Sequence, residues 1–152
     1  MPEMRDSRHS GRVLIADDDP LIRRLLSKLV LREGMEVDTV ADGVGALEKL
    51  ANGTYDAILL DLMMPKVNGY DVVNYLKRWS ARTRPIVLVI TAYGDNEWRD
   101  LDPSVVTGVV RKPFEIADLG KLLRLCIERH PTESASWGTV HSLQLLRRKR
   151  SN

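Results

Sequence analysis

Asp17, Asp18 and Asp19 follow one another directly, while Asp61, Thr91 and Lys112 stand singly, and each set closes a short run of aliphatic residues. Taken alone, an aspartate after such a run serves most often as a turn or cap residue. Asp19 has that reading: Pro20 and a helical pattern follow it, so it is assigned as an N-cap. The others gain meaning if the fold brings them together. Crowded carboxylates are costly unless a cation neutralises them. Mg²⁺ suits such a cluster because it is hard and octahedral, and is satisfied by one or two carboxylates together with carbonyls, waters and phosphate oxygens. A hydroxyl from Thr91 and an ammonium from Lys112 would then face the same anion.

The runs that these residues close are Val13–Ala16, Val37–Val40, Ala57–Leu60, Ile86–Ile90 and Val109–Arg111, all of strand length and rich in β-branched side chains. Between the first two, Leu21, Ile22, Leu25, Leu26, Leu29 and Val30 recur at helical spacing and Gly34 supplies a stop. Val44, Leu47 and Leu50 predict a second helix ending near Gly53, and Val72, Val73, Leu76 and Trp79 a third. Ile116, Leu119, Leu122, Leu123, Cys126 and Ile127 predict a last helix that stops before Pro131. Strands fed in turn by helices require an α/β fold, a doubly wound five-stranded parallel sheet with right-handed crossovers and helices on both faces. Ligands in such folds bind beyond the carboxyl ends of the strands, which is where Asp17, Asp18, Asp61, Thr91 and Lys112 all fall.

The run Val13-Leu-Ile-Ala-Asp-Asp-Asp-Pro20, then Leu59-Leu-Asp-Leu-Met-Met-Pro65 with Gly69, then Ile90-Thr-Ala92, then Arg111-Lys-Pro-Phe114 resembles the receiver domain of two-component response regulators, across Arg12 to Glu128. The resemblance implies strand order 2-1-3-4-5, flavodoxin-like, and a cis Lys112–Pro113 bond. It implies that Asp61 accepts a phosphoryl group from a histidine kinase, a phosphotransfer protein or a small phosphodonor. Asp18, Asp61 and the Met63 carbonyl would ligate Mg²⁺, with Asp17 acting mainly through water, and Thr91 and Lys112 would bind phosphoryl oxygens. The residue types fit: a carboxylate attacking phosphorus in line needs its own charge and that of the phosphoryl oxygens offset. Such a protein catalyses only its own phosphorylation and dephosphorylation, and signals through an unknown protein effector.

Other classes fit less well. An aspartyl-phosphate hydrolase places a second acid two residues beyond its nucleophile, where this chain has Met63. A dinucleotide or flavin carrier needs a glycine-rich turn after the first strand, where this chain has three aspartates. At 152 residues and 43% hydrophobic, the chain supports one core. Residues 12–130 are read as the receiver, 1–11 as a flexible lead-in and 131–152 as a basic tail. A single cysteine, and the lack of any leader or long apolar run, give the expectation of a cytoplasmic protein without a membrane anchor. The tail is too short for a helix-turn-helix unit, so the sequence argues for a stand-alone, single-domain receiver and against nucleic-acid binding; a receiver fragment, or a regulator acting on DNA through Arg147–Arg150, is the alternative.

Three features depart from the resemblance. Val109 stands where receivers often carry an aromatic switch residue. Gly94–Gly108, the segment expected to hold the helix between the fourth and fifth strands, contains Asp102-Pro103 and lacks a clear apolar stripe, so that helix is expected to be short, shifted or partly unwound. In the tail, Val140, Leu143 and Leu146 form a stripe ahead of Arg147–Arg150. That stripe predicts a short helix ordered only against a partner or a second subunit in a homodimer, whereas Pro131–Gly138 reads as disordered. Met63 and Tyr93 flank the path of hydrolytic water in the resemblance, and neither can hold that water by a carboxylate or amide, which predicts slow loss of the phosphoryl group.

Overall fold

The computed structural model describes residues 11–92 and 100–129, with the side chain of Arg129 excepted. The expectations for Tyr93, the first half of Gly94–Gly108, the stretch 1–10 and the tail stripe lie outside the described residues. Five strands, β1 (Arg12–Ala16), β2 (Glu36–Val40), β3 (Ala57–Leu60), β4 (Ile86–Thr91) and β5 (Gly108–Arg111), form one sheet in the order β2-β1-β3-β4-β5. Every neighbouring pair is parallel. The described helices are α1 (Pro20–Arg32), α2 (Gly43–Asn52), α3 (Gly69–Lys77) and α4 (Ile116–Arg129).

Alternation along the strands divides the core into two layers. Val13, Ile15, Ala57, Leu59, Ile86, Leu88 and Ile90 point toward α1 and α4, meeting Leu26, Leu29, Leu119 and Leu123. Leu14, Ala16, Ile58, Leu60, Val87 and Val89 point the other way, onto Ala46, Leu50, Val72, Val73 and Leu76 of α2 and α3. The central strands β1, β3 and β4 are buried on both faces, which is why they read as unbroken apolar runs.

The helices begin and end where local chemistry dictates. Asp19 caps α1, its carboxylate accepting from the Leu21 N–H, with Pro20 at the first helical position. Gly34, just past the end of α1, takes φ +85°, a conformation that costs glycine nothing. Asp42 and Asn68 cap α2 and α3 in the same manner. Two helical faces differ from the sequence reading. Leu21 and Leu25 are 72% and 40% exposed, since the seven aliphatic residues on α1 span more arc than the sheet covers, and only Leu26, Leu29 and Val30 are fully buried. On α2 the buried line runs through Gly43, Ala46 and Leu50, leaving Val44 exposed.

The described part of the β4–β5 crossover is more firmly packed than its pattern implied. Leu101, Val105 and Val106 are buried, and the Asp102 carbonyl accepts from the N–H groups of Val105 and Val106 in a single turn. Pro103 breaks the periodicity, so these anchors do not register as a stripe. The Arg84 guanidinium pins the turn to the end of α3, donating to the carbonyls of Leu76, Trp79 and Ser104.

Candidate functional site

The ladder of backbone hydrogen bonds continues one residue past the strand ends, and this fixes the polar residues. The Asp17 N–H donates to the Val40 carbonyl, the Asp61 N–H to Ala16, and the Lys112 N–H to Thr91. Asp17 and Asp61 therefore leave β1 and β3 side by side. This is the point where the chain passes to β2 on one side of β1 and to β3 on the other, the crevice where ligands bind in open parallel sheets.

One carboxylate oxygen from each of Asp17, Asp18 and Asp61 lies within 4.8 Å of the others. Asp17 and Asp61 are buried and Asp18 faces solvent, so the cluster is a half-sunk cup with an open side. Both Asp17 oxygens are engaged: Oδ1 accepts from the Asp19 N–H at 2.9 Å and Oδ2 from Lys112 Nζ at 3.0 Å. The same ammonium lies 4.0 Å from Asp61 Oδ2. Asp61 Oδ1 accepts a long bond, 3.3 Å, from the Met63 N–H. Thr91 is buried at the end of β4 beside Lys112, and the Lys112–Pro113 bond is cis.

This arrangement leaves Asp61 short of positive charge. Burial foremost, and then the Asp17 carboxylate, raise its pKa from the ordinary 3.8 to about 6, against the pull of Lys112 and the Met63 N–H. A carboxylate in this condition gains from a divalent cation. The cup of three acids, one of them open to water, has the hard oxygen donors that Mg²⁺ requires.

The fold brings together all the residues singled out in the sequence: Asp17, Asp18 and Asp61 in the cup, with Lys112 bridging two of them, Thr91 beside Lys112, and Met63 bonded to Asp61. It adds Arg23, whose Nη1 donates to the Asp17 carbonyl at 2.7 Å and ties the acidic turn to α1. An arginine one turn into a helix reads as a solvated charge, and its six-residue separation from Asp17 carries no recognised spacing.

Residues 13–124 match the profile of the response regulator receiver domain family. The chain belongs to that family. The receiver is a phosphorylation-accepting part of two-component signalling, a signalling domain rather than a classical enzyme. It is 36% identical over 122 residues to the transcriptional regulatory protein TcrA of Mycobacterium tuberculosis, covering 79% of this chain and 47% of that protein. It is 34% identical over 125 residues to the response regulator ArlR of Staphylococcus saprophyticus, with 81% and 55% covered. The receiver thus spans about half the length of these relatives. Among solved structures, the chemotaxis response regulator CheY4 of Vibrio cholerae matches with TM-score 0.69 and 31% identity, over 77% of this chain and 98% of that one. The response regulator TrrA of Thermotoga maritima, solved with Mg²⁺ and beryllium fluoride, matches with TM-score 0.68 and 31% identity, over 76% and 98%. Among the described residues, no helix of the receiver is long and apolar enough to cross a membrane.

Proposed function

We propose that Asp61 is the phosphoacceptor of this receiver, and that residues 12–130 form a Mg²⁺-dependent cytoplasmic switch that passes its state to a protein partner. The observation that supports this most is the condition of Asp61: a buried carboxylate at the floor of an acidic cup, with its pKa raised to about 6 and one ammonium 4.0 Å away. Asp18, Asp61 and the Met63 carbonyl would hold the cation, and Asp17 would act mainly through water. Bound there, Mg²⁺ supplies the charge that the carboxylates and a phosphoryl group jointly lack.

The chain's own groups then divide the work. An oxygen of Asp61 forms the new bond to phosphorus as the bond to the donor, a histidine kinase, a phosphotransfer protein or a small phosphodonor, breaks on the opposite side. Lys112 rests on Asp17 at 3.0 Å and needs to travel only a short way to meet a phosphoryl oxygen beside Asp61. A compact ammonium on a flexible stem suits that transfer. Thr91, buried at the neighbouring strand end, offers its hydroxyl to another phosphoryl oxygen. Incubation of the full chain with acetyl phosphate and Mg²⁺ should yield one phosphoryl group that base and hydroxylamine remove, absent from Asp61→Asn. Equal labelling of that variant would remove Asp61 from the role.

A second reading has its own support. TcrA is named a transcriptional regulatory protein and, like ArlR, is longer than this chain, so the receiver could equally control DNA binding, either as one part of a longer regulator or through the basic Arg147–Arg150 cluster. Phosphorylation-dependent capture of a protein by the 152-residue chain, without retention on DNA at low salt, favours the protein-partner reading. Retention on DNA without such capture favours the other.

A further inference from the structure

The loop from Leu62 to Asn68 that follows Asp61 is held at its base and at its tip. At the base, the Gly69 N–H donates to the Leu62 carbonyl at 2.8 Å. Gly69 also packs so closely that a Cβ there would lie 2.5 Å from the Asp61 carbonyl oxygen and 2.6 Å from Leu62 Cα. At the tip, the grip comes from a different part of the chain, the start of α2. A Cβ on Gly43 would lie 1.8 Å from the Val67 carbonyl oxygen. Lys66, next to Val67, adopts φ +68°, left-handed backbone that a non-glycine residue keeps only where its surroundings impose it. Its Nζ lies 3.4 Å from Asp42 Oδ2, while Asp42 Oδ1 accepts from the Gly45 N–H as the cap of α2. One carboxylate therefore fixes the helix start and the loop tip together, and the missing side chain of Gly43 lets the two backbones meet.

The acidic cup itself contains neither Asp42, Gly43 nor Lys66. We propose that Gly43 and Lys66 are positioning residues for the metal site: by pressing the loop tip onto α2 they set where the Met63 carbonyl stands relative to Asp18 and Asp61. The proposal rests on the reading of those three residues as the Mg²⁺ shell. A loop only seven residues long, clamped at its base against Asp61 itself, transmits a shift at its tip to the peptide that follows Leu62. Outer groups that orient ligands typically change metal affinity by about 10- to 100-fold.

The test is calorimetric titration of the full chain with Mg²⁺, paired with thermal melts in chelator. Gly43→Ala forces the Val67 carbonyl to retreat by about 1 Å or more, and should weaken Mg²⁺ binding about tenfold. Lys66→Gly removes the tether while accepting the positive φ without penalty. It should weaken binding by a smaller factor, about threefold, without lowering the melting temperature in chelator. That combination is one a merely structural role would not produce, and Lys66→Gly decides the matter if Gly43→Ala fails to fold. Wild-type affinity in Lys66→Gly, or a lower melting temperature with unchanged affinity, overturns the proposal. Asp18→Asn separates the two levels: if it binds Mg²⁺ as well as wild type, the metal-shell reading fails and the positioning role falls with it. If Asp18→Asn loses binding while Gly43→Ala and Lys66→Gly do not, the positioning role alone fails.

Discussion

Replacing Asp61 by asparagine should make the protein more stable while disabling it. The substitution is nearly isosteric, and the asparagine carbonyl can still accept from the Met63 N–H. What disappears is a negative charge held next to Asp17 in a buried cup. A carboxyl that titrates near 6 when folded and near 3.8 when unfolded costs about 3 kcal/mol at neutral pH, at about 1.4 kcal/mol for each pH unit of difference. The cup opens to water at Asp18, and screening there reduces the cost to roughly 1.5 kcal/mol. For a domain of this size that corresponds to a rise of about 6 °C in melting temperature. The sign of the pH dependence follows from the direction of the shift. Because the folded pKa lies above the unfolded one, the folded state binds the proton more tightly, and the stability this confers is complete below 3.8 and lost as pH rises through about 6. Asp61→Asn should therefore exceed wild type near pH 7.5 in chelator, and the gap should close near pH 3, below both pKa values, where the wild-type carboxyl is protonated in both states. Saturating Mg²⁺ should also narrow the gap, by stabilising wild type in proportion to its affinity. Urea denaturation at the two pH values, with and without metal, measures all of this. An asparagine variant no more stable than wild type near pH 7.5 in chelator would refute the account of Asp61 as an under-neutralised charge.

Lys112→Met should destabilise the fold by about 3 kcal/mol in urea denaturation, because among the described residues the buried Asp17 carboxylate then keeps only its bond from the Asp19 N–H; Asp17→Asn on that background should recover most of the loss, and a single-variant cost under about 1 kcal/mol would contradict it. Arg84→Lys cannot serve three carbonyls from one planar group, so it should cost about 2 kcal/mol and raise hydrogen exchange at Val105 and Val106, with unchanged exchange there counting against the pinning role. Val109 is half-buried and stiff, with no ring to swing, so read-out should appear as altered exchange in residues 100–107 on addition of Mg²⁺ and beryllium fluoride; identical protection would refute this. Asp19→Ala should remove the α1 cap and cost about 1 kcal/mol, read by chemical denaturation.

The order of the described elements and the ends of the strands are written in local sequence. Period-two burial on both faces leaves the central strands as unbroken apolar runs, and Asp19-Pro20 and Gly34 mark the limits of α1 by chemistry that acts within a few residues. The position of Asp17, Asp18, Asp61, Thr91 and Lys112 at strand ends was equally legible, because parallel pairing forces every such end onto one edge. Three things depended on tertiary structure. Which leucines of α1 are covered depends on how wide an arc the sheet presents, and Leu21 and Leu25 fall outside it. That Lys112 sits on Asp17 rather than on Asp61 is a matter of distances between atoms far apart in the chain, and that Arg23 holds the Asp17 carbonyl depends on how α1 turns back over the end of β1. The contact of Gly43 with Val67 belongs to the same kind: a glycine at a helix start is permissive in sequence, and only the approach of a second backbone makes it obligatory. Local propensity and periodicity encode what neighbours in sequence do, whereas charge pairing and close backbone approach are fixed only when the sheet has folded.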